Sequence, residues 1–186
     1  MKKRTLFTVV FLFAFLFHTY GQNKSFEIGG KVINELVMWK SFGFGIGVQS
    51  VYMFTKHSGI ESGLYYKINP KNYFTTDAQG NFINIIAREK TILFPVLYRF
   101  ESALINFTAG MAIDYLLNQK DFKSNAPFPS VKWKGRSSEF ISTISISKNF
   151  YLKKSLIVEP EIRASSFVPA GGGGVALNLS LRKKIF

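Results

Sequence analysis

Ser41–Phe54, SFGFGIGVQSVYMF, is the stretch on which the fold turns. Taken by twos, Phe42, Phe44, Ile46, Val48, Tyr52 and Phe54 fall on one face, interrupted by Ser50, while Gly43, Gly45, Gly47 and Gln49 fall on the other. A period of two over this length specifies a β-strand with one large apolar face and one small, polar face. The question it raises is which face meets which solvent.

The same alternation recurs in both directions and gives eight expected strands. Before it lies Ser25–Glu35, with Phe26, Ile28 and Val32 against Glu27, Gly29 and Lys31. After a tight turn at Lys56-His57-Ser58-Gly59 comes Gly59–Asn69, with Ile60, Leu64, Tyr66 and Ile68 against Glu61, Gly63, Tyr65 and Lys67. Lys90–Phe100 alternates Ile92, Phe94, Val96, Tyr98 and Phe100, and Leu104–Leu117 alternates Ile105, Phe107, Met111, Ile113 and Tyr115. Ser138–Lys148, Ser155–Ser165 and Val175–Phe186 complete the set. Pro70–Arg88 and Asn118–Arg136 read as long polar loops, Ser166–Gly174 as a glycine-rich one, and Asn149–Lys154 as a turn. Pro95 and Pro160 fall inside expected strands, where a missing N–H calls for local bulges.

Alternation of this kind suits a membrane barrel with its apolar face outward and a lipocalin-like soluble barrel with that face inward. Volume separates them. The apolar parity holds roughly three dozen large side chains, and an eight-stranded barrel has an interior only wide enough for packed side chains or one small ligand. The glycines and short polar residues fit inside, so the phenylalanines are expected to face lipid. Lipid cannot satisfy an open sheet edge, so the sheet must close. Short links after strands two, four and six, with longer ones after three, five and seven, suit periplasmic turns and outer loops, the short link after strand one being the exception. Aromatic residues reach both ends of the strands, as interfacial girdles require: Phe26, Tyr52, Phe54, Tyr98 and Phe100 at one, Tyr66, Tyr115 and Phe140 at the other. The expected fold is all-β, an eight-stranded antiparallel up-and-down transmembrane β-barrel, and the expected location is the cell outer membrane.

The N-terminus fits that destination. Lys2, Lys3 and Arg4 precede the apolar run Leu6–Phe17, and Thr19-Tyr20-Gly21 places small residues at the −3 and −1 positions. This is the pattern of a signal peptide over residues 1–21, leaving 22–186 as the barrel domain. The chain has no cysteine, which excludes disulfides and thiolate metal sites. Its net charge is +13, three units of which come from the first four residues. The rest is scattered, which favours solubility and contact with anionic headgroups over nucleic-acid binding.

These features carry a resemblance. Ile92–Phe100 (ILFPVLYRF), Glu159–Arg163 (EPEIR) and the closing Leu177–Leu181 alternation resemble the PorT-like outer-membrane β-barrel domain, within the small outer-membrane β-barrel families. The resemblance spans nearly all of the mature chain and implies outer-membrane lipid and the barrel-assembly machinery as partners. It also implies an accessory role in a secretion or envelope-assembly system as one alternative. Phe186 is one residue out of phase with Leu181, so a bulge or frayed end is expected through Lys183-Lys184.

On the inward parity, Lys31, Glu61, Lys67, Arg99, Asp114, Glu159, Glu161, Arg163 and Arg182 gather in the expected lumen. A mutually neutralising network that plugs the barrel is the preferred reading, and a proton or ion path the alternative. Glu159 and Glu161 share a face as a catalytic pair does, but Arg163 beside them favours an ion cluster. Lys132, Trp133, Lys134 and Arg136 form a candidate outer-loop anion contact for lipopolysaccharide or another envelope protein, with a solvated loop as the plainer reading. After signal removal His57 is the remaining histidine, and it falls in an expected periplasmic turn. Ser–His catalysis lacks its base near the outer rim, and the expectation is no enzyme, no cofactor and no metal site. The expected role is structural or interactive, through the outer loops of a monomer. A soluble periplasmic lipocalin-like ligand-binding barrel remains the contrasting class.

Overall fold

The computed structural model describes residues 24–37, 41–76, 80, 82–124, 137–168 and 173–186. Within them the alternating stretches form β1 (Ser25–Val37), β2 (Ser41–Met53), β3 (Ser58–Thr76), β4 (Phe82–Glu101) and β5 (Asn106–Ser124). These are followed by β6 (Ser138–Ser147), β7 (Phe150–Lys153), β8 (Leu156–Val168) and β9 (Gly173–Lys184). Apart from β6 and β7, consecutive strands pair antiparallel, and β9 pairs with β1, so the sheet closes. β6 and β7 lie on β8 in one register, Ser147 opposite Glu161 and Phe150 opposite Val158. They are one stave broken at Lys148-Asn149, which makes an eight-staved antiparallel barrel.

The stagger of the ring follows from its pairings. From Lys184 the partners run through Glu27, Val51, Glu61, Leu97, Gly110, Thr143 and Ser165, and return to β9 at Gly174, ten residues from the start. Strands in such a ring tilt by roughly 35–45° to the axis, and the interior is narrow enough for side chains to fill. The faces divide as volume requires. Phe44, Ile46, Val48, Phe94, Val96, Ile113, Ile144 and Leu179 are exposed on the outside, while Lys31, Gln49, Glu61, Tyr65, Leu97 and Arg99 are buried inside. The lumen glycines have a steric role beside Tyr65. A Cβ on Gly47 would lie 2.7 Å from the Tyr65 ring, and one on Gly63 would lie 2.6 Å from its Cζ.

Several boundaries differ from the sequence reading. Pro70–Arg88 is not an irregular loop: β3 and β4 continue in register to Thr76 opposite Phe82, and Gly80, between them, has φ 84°. Pro70 is tolerated because it lies past the last β2–β3 pair, Phe44 with Ile68, where β3 has become an edge. β5 likewise runs on to Ser124, with register shifts against β4 between Ile86/Ala87 and Lys90/Thr91. Asn149–Lys154 is mostly strand, and the turn falls at Lys154-Ser155. β8 and β9 extend to Val168 and from Gly173, shortening the loop between them.

Neither proline makes a bulge. At Pro95 the β3–β4 ladder skips two pairs without changing register, and the Pro95 carbonyl accepts from the Ser62 hydroxyl at 2.9 Å. Pro160 sits just past the end of β6, where its carbonyl accepts from the Lys148 N–H at 3.3 Å. The expected irregularity near the end of β9 lies two residues further on than Lys183-Lys184. The Phe26 carbonyl accepts from the Ile185 N–H while the Phe26 N–H donates to the Phe186 carbonyl, a one-residue slip that stacks Phe186 on Phe26 with centroids 6.1 Å apart.

Candidate functional site

The buried charges occupy the axis of the barrel in tiers, because each strand delivers every second residue inward. Near the short-turn end, Arg99 pairs with Glu61 at 2.9 Å, Glu101 at 2.7 Å and Glu159. Arg182 reaches Glu27 at 2.6 Å and the second oxygen of Glu159 at 2.8 Å. Asn149 bridges these two arginines, accepting from Arg182 at 2.9 Å and from Arg99 at 3.3 Å. Asn106 and the Ser147 hydroxyl also donate to Glu159.

The next tier turns on Glu61. One of its oxygens accepts from Lys31 at 3.0 Å and Arg163 at 2.9 Å, while the other takes Arg99. Glu161 binds both Lys31 and Arg163, and Asn178 donates to it at 3.1 Å. Glu61 therefore joins two tiers and contacts three cations.

An apolar layer follows, made of Ile33, Tyr65, Leu93, Ala112, Ile141 and Ala176. Beyond it Lys67 pairs with Glu35 at 2.6 Å and lies 3.8 Å from Asp114, while Asn69 donates to Glu35 at 3.3 Å. A cavity of about 20 Å³ adjoins this layer, room for a single water.

All nine lumen residues singled out in the sequence are thus buried and ion-paired. Glu159 and Glu161 sit in adjacent tiers and meet different cations, Arg99 and Arg182 for the first, Lys31 and Arg163 for the second. Sequence reasoning left out Glu27 and Glu35, which share the parity of Lys31 and could have been taken with it. Glu101 lies one residue past the expected strand end at Phe100, and it is the last residue of β4. With these three, seven carboxylates meet five cations.

His57 lies in the β2–β3 turn with its Nδ1 2.8 Å from the Glu101 carbonyl, far along the strands from the long-loop end. Among the described residues no group of three or more His, Cys, Asp or Glu is arranged to hold a metal ion. Lys132, Trp133, Lys134 and Arg136 lie outside the described residues, as does the signal-peptide segment 1–21.

The class defined by this geometry is a closed eight-staved β-barrel with polarity reversed relative to a soluble protein. No family model matches the chain, and no curated protein matches it. Among solved structures it is similar to the N-terminal β-barrel domain of Pseudomonas aeruginosa OprF, at 12% identity and TM-score 0.46, covering 86% of this chain and 99% of that one. It is also similar to Neisserial surface protein A, at 8% identity and TM-score 0.47, covering 86% and 96%. A third is Ail, the attachment invasion locus protein of Yersinia pestis, at 10% identity and TM-score 0.38, covering 87% and 97%. The percentages and score for Ail are those of its complex with the heparin analogue sucrose octasulfate.

Proposed function

We propose that the protein is a monomeric outer-membrane β-barrel with a closed lumen, whose role is structural or interactive and is exercised through its long loops. One observation carries this: the charged residues are inside and the large apolar residues outside. Phe94, Val96, Tyr98 and Phe100 on β4 are all exposed, whereas Leu97 and Arg99 between them are fully buried. In water such a surface would aggregate, since exposed apolar patches far beyond a few hundred Å² are not tolerated by soluble monomers. In lipid it is the stable arrangement. The same observation disfavours the soluble lipocalin-like reading, whose apolar face would line a ligand cavity.

The closed lumen is supported by burial. Lys31, Gln49, Glu61, Arg99, Glu159 and Arg182 are at most 1% exposed, and a water-wide channel past them would leave them wetted. The PorT-like assignment, the barrel-assembly machinery as assembly partner and an accessory role in secretion or envelope assembly rest on the resemblance of ILFPVLYRF and EPEIR. Contact of Lys132, Trp133, Lys134 and Arg136 with lipopolysaccharide or another envelope protein rests on their charge and aromatic character.

Membrane fractionation with protease added to intact cells tests the reading. The protein is expected in the outer-membrane fraction, cut from outside within residues 118–136. The purified protein is expected to give no steady current in planar bilayers. Recovery in the soluble periplasm contradicts the membrane reading, and steady ion flow contradicts the closed lumen.

A further inference from the structure

The fold sorts its charges by position as well as by face. The carboxylates nearest the short-turn end, Glu27, Glu101 and Glu159, are turned inward onto Arg182 and Arg99. Lysines take the surface. Lys24, Lys148, Lys153, Lys154, Lys183 and Lys184 are exposed there, and among the described residues no exposed Asp or Glu accompanies them. They lie on one arc, because β7 and β9 flank β8 and Lys183 stands opposite Leu156.

This arc projects. All four residues of β7 are exposed, with Phe150 at 49% and Tyr151 at 66%, although these two, in regular register with Val158 and Ile157, point to opposite faces of the strand. Two neighbours on opposite faces can both be open only if the hairpin extends past the floor of the lumen. Phe150 continues the outer belt, and Leu152, at the irregularity between Tyr151 and Lys153, is exposed, as are Ile185 and Phe186 at the end of β9. The Lys148 ammonium lies 5.9 Å from the Phe150 ring centroid.

Aromatic rings at the edge of an apolar belt, with lysine ammoniums just beyond them, match the step from acyl chain to phosphate in a bilayer leaflet. We propose that this arc is a binding surface for anionic phospholipid headgroups in the leaflet reached by the short turns. The inference rests on the reading that the belt sits in lipid, and adds a preferred lipid to it. A lysine stem beside such a ring, as at Lys148 and Phe150, places its ammonium at phosphate depth, where each lysine adds to the attraction for an anionic surface. Lysine suits this role because it acts as a point charge and needs no fixed geometry.

The test inserts the full mature chain into phosphatidylcholine vesicles containing a minor fraction of phosphatidylglycerol. Spin-labelled lipids then report the composition of the shell around the barrel, and gel mobility with and without heating reports insertion. The inserted wild type is expected to enrich phosphatidylglycerol over phosphatidylcholine by about threefold to fivefold at low salt, and the enrichment is expected to fall towards unity as salt screens it. Combined replacement of Lys148, Lys153, Lys154, Lys183 and Lys184 by Gln removes the enrichment, and Lys90→Gln at the other end retains it. Soluble glycerol phosphate at matched ionic strength competes no better than sodium chloride. An inserted wild type with no enrichment, enrichment indifferent to salt, or a fivefold variant that keeps it overturns the proposal. Selective competition by glycerol phosphate overturns the lipid as its source. A chain that does not insert into these vesicles overturns the membrane reading itself.

Discussion

Arg99 shows how the lumen is held. Its guanidinium meets Glu61, Glu101 and Glu159 with no exposed surface of its own, and Asn149 accepts one of its remaining protons. Removing one member of a buried pair leaves the others charged and unsatisfied, at a cost of about 3–5 kcal/mol. Arg99→Met is therefore expected to destabilise the folded barrel by about that amount in urea unfolding from vesicles. Lys183→Gln, on the exposed rim, is expected to change it by less than about 0.5 kcal/mol. Equal effects would contradict the network as a stabilising unit. At this scale the parity of each charged residue was legible, since period two assigns a face to every position. Its partner was not. Lys31 meets Glu61 and Glu161 because the ring is staggered by ten residues, a quantity set by register across the closure of the sheet. The buried Ile33, Leu93 and Leu97 were missed for another reason. Charged side chains alone leave volume unfilled, and a narrow interior is completed with apolar side chains.

At the scale of elements, β2 is the strand whose faces are most sharply divided. Ile46 lies midway along it, and Phe42 is its second residue. The cost of a charge on the lipid face depends on depth, about 2–4 kcal/mol for arginine at the midplane and about 0–1 near the interface. Ile46→Arg is expected to oppose folding into vesicles by the larger amount and Phe42→Arg by the smaller. Equal tolerance would mean that this face does not meet lipid. The sequence located every stave but misjudged where several end. β3 continues through Asn69-Pro70-Lys71 because backbone pairing with β4 persists after the alternation stops. β7 was taken for a turn because Phe150, Tyr151, Leu152 and Lys153 are all exposed and show no alternation of apolar and polar residues to read.

For the molecule as a whole, the decisive property is reversed polarity, and the three glycines of SFGFGIGVQSVYMF belong to it. They are small because Lys67, Asn69 and Tyr65 crowd the interior opposite them. The phenylalanines are large because they stand on the outside of the wall. The volume argument could find that division in the sequence, since it depends only on strand number and side-chain size. Closure, expected because lipid cannot satisfy an open sheet edge, is made by the β1–β9 pairing, which joins the two ends of the described chain. The most direct test of the facing uses the absence of native cysteine. Single cysteines at Phe44, Ile46 and Val48 would carry spin labels on the vesicle-inserted protein, read by collision with oxygen and with a water-soluble nickel chelate. The expected result is high oxygen and low nickel accessibility at all three, with the contrast greatest at Ile46. Free access of the nickel chelate to Ile46 and Val48 would contradict the account.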